Sequence, residues 1–291
     1  MEKILRNKFT IALFVLPALF VYGFTVFVPV VWSLYYSLFS WDGITSMEFI
    51  GMQNYVRMFT DDRVFWDAFV NNLVYLAVIV SIQVGVGMLV AVLLTKIGFG
   101  REFFKTLYFT PAVITSVAIA QLFSKIYSFE PVGMINYVLH FLGLGHLQTA
   151  WLSSMDLALA AVSIPEGWRF IGLYMIILYA AFISIPKDME EAGTIDGASG
   201  WKLFRYIKFP LIKPIFIITI VMATTGALKG FDIPFILTNG SPGHATEILT
   251  TYMYKTAFSS LQYGYGSAIT VFIVLESLIA VLLIRKLTDD K

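Results

Sequence analysis

The sequence predicts an all-α integral membrane protein, built as one transmembrane domain over residues 1–291 with six spanning helices. Three observations predict it. Hydrophobic residues make up 58% of the 291 and charged residues only 13%, whereas soluble domains run at roughly 45–50% apolar and about 25% charged. Six apolar runs approach or exceed the length of about 20 residues that a spanning helix needs. Basic residues gather on alternate connections between those runs, as a defined topology requires. The composition also removes other classes. Lys plus Arg (20) nearly balances Asp plus Glu (19), so a net charge of +1 leaves no nucleic-acid footprint. The absence of cysteine removes disulfides, thiolate metal sites and cysteine nucleophiles. His140, His146 and His244 are too scattered for a metal-ligand pattern.

The first run, Ile11–Phe39, follows Lys3, Arg6 and Lys8. It is longer than the apolar core of a secretory signal, about 7–15 residues, and no small-residue cleavage site follows it. The others are Phe69–Thr95, Leu107–Ser128, Leu157–Ile185, Leu211–Leu237 and Ser267–Ile284. The second–third connection carries Lys96, Arg101 and Lys105. The fourth–fifth carries Lys187, Lys202, Arg205, Lys208 and Lys213, and the C-terminus Arg285, Lys286 and Lys291. With the N-terminal three, these segments hold 14 basic residues against 3 on the alternate side (Arg57, Arg63 and Lys255). The positive-inside rule then places both termini in the cytoplasm. The outer segments are polar or aromatic: 42–67 carries Glu48, Asp61 and Asp62, and 130–154 has no Lys or Arg. Segment 239–266 opens with the turn-forming Asn239-Gly-Ser-Pro-Gly and continues as a short amphipathic helix from Thr246.

The connection over 186–214 is too long for a turn and too patterned for a linker. Ser184 is placed to cap a helix with Pro186 in its first turn, and Asp188, Glu190 and Glu191 then sit near the positive end of its dipole. Ala192, Gly193, Gly197, Ala198 and Gly200 follow. Glycines destabilise an isolated helix, so close approach to another surface is the expected compensation. Asp196 or Ser199 is placed to cap a second short helix carrying Trp201, Phe204 and Ile207 on one edge beside Lys202, Arg205 and Lys208. Pro210 and Pro214 are expected to end it and begin the fifth span. Taken alone, such a basic–aromatic helix reads as one lying on lipid headgroups.

The order Glu191-Ala192-Gly193-x-x-Asp196-Gly197-Ala198, then Phe204, Ile207, Pro210 and Pro214, closely resembles the EAA loop of ABC importer permeases. Gly193 stands where that family often has Ala. The resemblance extends along nearly the whole chain through Leu16-Pro17, Phe49-x-Gly51-x-x-Asn54-Tyr55, Asn71-Asn72, Thr110-Pro111, Trp151-Leu152 and Phe231-Asp232. It continues in Leu237-Thr238-x-Gly240-x-Pro242, Thr246-Glu247, Tyr254-x-x-Ala257-Phe258 and Gly264-Tyr265-x-Ser267-Ala268. Together these are similar to the maltose-type first permease of the carbohydrate-uptake branch, without the large extracytoplasmic insertion of the enteric version. The resemblance implies a type I ABC importer permease fold in the cytoplasmic membrane of a bacterium or archaeon. It implies a second permease subunit as heterodimer partner, two copies of a cytoplasmic ATPase, one of them docked on the 186–214 coupling loop, and an extracytoplasmic solute-binding protein. ATP and Mg would be bound by the ATPase; this chain would hold no cofactor or metal.

Ionisable residues inside spans are costly and usually face a cavity or each other. Here they are Lys125, Glu166, Arg169, Lys229, Asp232 and Glu276. At about 1.5 Å per residue, Glu166 lies about 15 Å down the fourth span and Arg169 about 20 Å. Lys229 lies about 15 Å and Asp232 about 10 Å from the outer end of the fifth. Glu166 and Lys229 thus share a level, as a structural pair or as part of a substrate path, and Pro165 is expected to kink the helix there. Trp168 is the aromatic best placed to cover an apolar sugar face. The family resemblance implies sugar contacts on the third, fourth and fifth spans. Ser116 matches a contacting serine, while Phe170, Leu173, Ala227 and Gly230 align with contact positions of differing residue type.

The function expected is one permease subunit of an ATP-driven importer for sugars, oligosaccharides foremost. No GxxxxGK[ST] occurs, so the energy comes from a partner, and no catalytic residue is expected. An intramembrane protease or lipid-headgroup transferase is disfavoured by the lack of HExxH and GxSxG. An ion-coupled secondary transporter predicts internal pseudo-symmetry, and none is detected. Glycerol phosphate or a polyol stays open as cargo, because related permeases carry glycerol phosphate and Arg169 and Lys229 are able to meet an anion.

Overall fold

In the computed structural model, which describes residues 8–289, nearly every element is helical. Helix α1 covers Ala12–Tyr36. A two-stranded hairpin follows, β1 (Phe39–Ser40) antiparallel to β2 (Glu48–Phe49), and then α2 (Gln53–Thr60). Next come α3 (Arg63–Lys96), α4 (Arg101–Val113), α5 (Ser116–Tyr127), α6 (Met134–Phe141) and α7 (Ala158–Ile183). Helix α8 is Lys187–Ile195, α9 runs over 201–228, α10 is Asp232–Leu237, α11 Leu249–Tyr254 and α12 Tyr263–Asp289. Five stretches are long and apolar enough to cross a membrane, and α4 with α5 makes a sixth if that bent pair is one span. Of the expected terminal cations, Lys3, Arg6 and Lys291 lie outside the described residues.

By internal contacts the chain divides into two units: the described residues up to Asp62 with Met253–Leu275, and Arg63–Tyr252 with the described residues from Glu276 on. In the first unit, polar contacts order the segment after α1. The Asn54 amide donates to the carbonyls of Ser37 (2.8 Å) and Phe39 (3.0 Å), and the Tyr55 hydroxyl donates to Ser37 Oγ (2.8 Å). Arg57 donates to Gln262 (2.9 Å) and lies 4.1 Å over the Tyr265 ring. Asp42 accepts from the amides of Thr45 and Ile44 and from the Thr45 hydroxyl. Those bonds, the Thr45 amide foremost, hold its carboxyl below the usual carboxylate range.

In the second unit α3, α7 and α9 pack through three apolar clusters. One contains Val90, Leu94, Met175, Leu178, Phe182 and Ile212, another Val84, Tyr174 and Ala223, and the third Tyr75, Ile79, Val162 and Ala227. Small residues set the spacing, as between membrane helices generally. A methyl added at Gly87 would lie 3.2 Å from the Met175 nitrogen, and one at Gly167 would lie 3.0 Å from the Ile82 side chain. At Gly172 it would overlap the Tyr108 carbonyl, so α7 and α4 touch backbone to backbone.

Three expectations about elements are corrected. The third run is not one straight helix: α4 and α5 meet at a 98° bend. Ile114 and Thr115 there are extended, and the Thr115 hydroxyl accepts from the Ala118 amide (3.4 Å), which caps a new helix. The fifth span begins at Trp201, because the helix passes through Pro210 and Pro214 after a π-turn at Phe204–Lys208. That wider turn precedes the prolines, whose missing N–H groups would otherwise break the regular ladder. In the outer segment, regular helix starts at Leu249, after a turn in which Asn239, Gly240, Gly243 and His244 all have positive φ.

Candidate functional site

The second unit holds a polar cavity of about 280 Å³. Its cause is a break in the fifth span. The helix stops at Leu228, Lys229 to Phe231 leave helical geometry, and α10 restarts at Asp232. Gly230 makes the break possible: a methyl there would lie 3.0 Å from the Tyr75 ring, and the Thr250 hydroxyl donates to the Gly230 carbonyl. Interrupted backbone at membrane depth is tolerated where it lines a cavity, and this one does.

The lining is Gln83, Glu166, Arg169, Phe170, Leu173, Tyr174, Gly226, Lys229, Gly230, Phe231 and Asp232. Five residues expected on a substrate path, Glu166, Arg169, Lys229, Gly230 and Asp232, therefore meet in one place. Ser116 joins them through its hydroxyl, which donates to Asp232 Oδ2 (2.6 Å). Because α5 begins at Ser116, the bend of the third run is what aims this hydroxyl. Trp168 is elsewhere on α7, its ring 5.7 Å from that of Phe123. Ala227 is buried in the apolar cluster with Tyr75 and Ile79 rather than lining the cavity.

Glu166 and Lys229 share the cavity, but the ion contact of Glu166 is with Arg169, at 4.0 Å. The two stand one helical turn apart on α7, where side chains at i and i+3 meet without crossing a helix gap. Gln83 donates to the Glu166 carbonyl (3.1 Å). Gln83 is not among the residues the sequence singles out, because a neutral amide stands out less than a charge in an apolar run; an amide near the middle of Phe69–Thr95 is the signal that marks it. Arg169 Nε and the Tyr75 hydroxyl are buried with no hydrogen-bond partner. The site offers two carboxylates, two cations, an amide and aromatic walls: groups that bind hydroxyls without reacting with them. Among the described residues no cluster of three metal-ligating side chains occurs.

The 186–214 segment forms a second feature. Ser184 ends α7 rather than starting α8, and Pro186 occupies the first cap. Helix α8 closes on a Schellman motif: the Ala198 amide donates to the Gly193 carbonyl (2.8 Å) and the Gly197 amide to Thr194 (3.0 Å), with Gly197 at φ +84°. Asp196 is thus a C-cap, and Gly200, at φ +51°, precedes α9. The glycines answer to this chain's own backbone more than was expected. Gly197 and Gly200 supply left-handed conformations, and Gly193 is buried against Ile207 and Leu203. Glu190 and Lys208 form an ion pair at 2.7 Å that ties α8 to the π-turn. Phe204 stacks on Trp201 (5.2 Å), and Pro210 lies exposed on α9. Glu191, Ala192 and Asp196 are left exposed beside Ile195, which is 86% exposed.

Comparison with known proteins converges on one family. Residues 63–289 match the family described as the inner membrane component of binding-protein-dependent transport systems. The chain is 37% identical over 277 residues to the probable ABC transporter permease protein YurN of Bacillus subtilis, covering 94% of each. It is 33% identical over 290 residues to AmyD of Thermoanaerobacterium thermosulfurigenes, a probable starch degradation products transport system permease, covering 98% of this chain and 97% of that one. Its fold matches a chain of a bacterial alginate ABC transporter, solved in complex with an alginate pentasaccharide-bound periplasmic protein. The TM-score there is 0.83 and the identity 20%, over 99% of this chain and 96% of that one.

Proposed function

We propose that this chain, which belongs to the family of binding-protein-dependent transport system inner membrane components, carries sugars, oligosaccharides foremost, through the polar cavity at the break in its fifth span. It is an ABC importer permease, a multi-pass membrane transport component and not an enzyme. The cavity itself carries the proposal for the cargo. Paired charges, an amide and a serine hydroxyl surround about 280 Å³ beside Phe170, Tyr174 and Phe231, and ligand sites combine apolar walls with a few placed polar groups in this way. The starch-product permease among its relatives supports a saccharide.

In this reading residues 1–291 act as one transmembrane domain and form half of a pore with a second permease subunit. One of two ATPase copies docks on the exposed face of α8, through Glu191, Ala192, Ile195 and Asp196. The two ATPases bind the ATP and Mg and supply the energy. A solute-binding protein docks on the outer side, over 42–67 and 239–266, and both termini lie in the cytoplasm. The alginate transporter it resembles, solved in complex with a periplasmic protein, supports the solute-binding partner. The test is ATP-driven uptake by the reconstituted transporter over a panel of oligosaccharides, polyols and glycerol phosphate. Uptake of oligosaccharides that falls in Lys229→Met and Asp232→Asn is the expected result. Uptake confined to glycerol phosphate or a polyol, or indifferent to both substitutions, overturns the assignment.

A further inference from the structure

A second cavity, of about 510 Å³, lies apart from the polar one, where α3, α7 and α9 meet near the 186–214 segment. Its wall is apolar: Gly85, Leu89 and Leu93 of α3 and Phe204 of α9 line it. Leu89 and Leu93 are 62% and 49% exposed, so the wall faces outward. Two cations line it as well, Lys96 at the end of α3 and Lys208 of α9, with the exposed Trp201 at the start of α9. Lys208 shares its charge with Glu190, whereas Lys96 forms no ion pair among the described residues. The lining of the groove therefore carries net positive charge.

The dimensions discriminate between ligands. From Gly85 to Lys96 the helix rises about 16 Å at about 1.5 Å per residue. That is the depth of one leaflet, half of a hydrocarbon core about 30 Å thick. The lysines and the tryptophan then sit at headgroup level, where such residues anchor. A free phosphate has no use for the apolar wall. A zwitterionic lipid would bring its own cation against the two lysines. We propose that this groove binds one anionic phospholipid, its acyl chain along Gly85, Leu89 and Leu93 and its phosphate between Lys96 and Lys208. Basic pockets between spanning helices at a membrane surface hold anionic headgroups in this manner. The proposal rests on the reading of the 186–214 segment as lying at a membrane surface. It links the lipid to α8, because Lys208 faces both the phosphate and Glu190.

The test uses the intact transporter, purified with its partners, exchanged into bilayers of phosphatidylglycerol and phosphatidylcholine and read by native mass spectrometry. One phosphatidylglycerol per copy of this chain should be retained in preference to phosphatidylcholine. Lys96→Gln should lower that retention about fivefold, the effect of one cation near an anionic headgroup. A methyl at Gly85 meets nothing within 4 Å, so the side chain of Gly85→Leu starts in open space of the groove and should release the lipid, with an unchanged melting temperature as the check on the fold. Glu190→Gln should preserve or raise retention while Lys208→Gln lowers it, which separates headgroup binding from the ion pair. Equal retention of the two lipids overturns the proposal, as does retention unchanged in Lys96→Gln and Gly85→Leu. So does an oxidant-induced disulfide between Leu89→Cys and a cysteine introduced into a helix of the second permease subunit. ATP-driven uptake is measured on the same preparation. Uptake without lipid preference removes the lipid site alone; lipid preference without uptake removes the transport reading alone.

Discussion

Arg169 holds the most constrained charge in the polar cavity. It meets Glu166 at 4.0 Å, with both side chains more than four-fifths buried, and its Nε has no partner. Removing it leaves Glu166 a lone carboxylate, and an unsatisfied buried charged group costs about 1–3 kcal/mol or more. Arg169→Met should therefore lower the melting temperature and membrane yield of the purified chain, and adding Glu166→Gln should restore much of both. Lys229 makes no ion pair among the described residues and is exposed at the break, so Lys229→Met should leave the melting temperature within about 0.5 kcal/mol equivalent while uptake falls. Equal destabilisation by both substitutions would mean that Lys229 holds Glu166 as much as Arg169 does. The sequence put Glu166 and Lys229 at one level by counting residues. It left open which cation Glu166 meets, because rise per residue fixes depth and not azimuth.

Two glycines control elements rather than chemistry. Gly172 lets α7 lie against the backbone of α4. Overpacking a close contact costs about 1–3 kcal/mol, so Gly172→Ala should reduce thermal stability, whereas Gly85→Ala, with open space around it, should not. Gly197 ends α8 in a left-handed conformation at φ +84°. That conformation costs roughly 1–2 kcal/mol for an ordinary residue and less for asparagine, so Gly197→Ala should expose the α8 amides to faster hydrogen exchange than Gly197→Asn does. On the same helix Glu191→Ala with Ile195→Asp should capture less ATPase while membrane insertion is unchanged. Undiminished ATPase capture would make α8 a surface helix only. The motif was legible in the order of its small residues, but their reason was not. A Schellman motif is defined by hydrogen bonds between residues whose spacing many sequences share.

At the scale of the molecule, topology is the property most open to direct test. The bias of basic residues predicts that reporter fusions after Ser128 or Thr238 are extracytoplasmic and those after Thr95 or Lys202 cytoplasmic. The reverse pattern would place α8 on the wrong side for an ATPase. Six runs were counted from hydropathy, and five unbroken spans with one bent pair are present. The bend at Ile114–Thr115 was hidden because hydropathy averages over a window and registers apolar side chains, not a two-residue change of ψ.

The sequence by itself determined the class: its apolar fraction, the six runs and the alternating cations demand spanning helices, since each is a property of side chains summed along the chain. It also singled out candidate site residues, because charges at membrane depth stand out against an apolar background. The tertiary structure alone decided how these residues combine. Asp232 takes its proton donor from Ser116, more than a hundred residues away, Glu166 meets Arg169, and Gln83 joins the cavity from another helix. Those pairings depend on the break after Leu228 and the bend after Val113, and on glycines that let helices touch. Backbone geometry of this kind is set by packing between distant segments, and no local pattern along the chain encodes it.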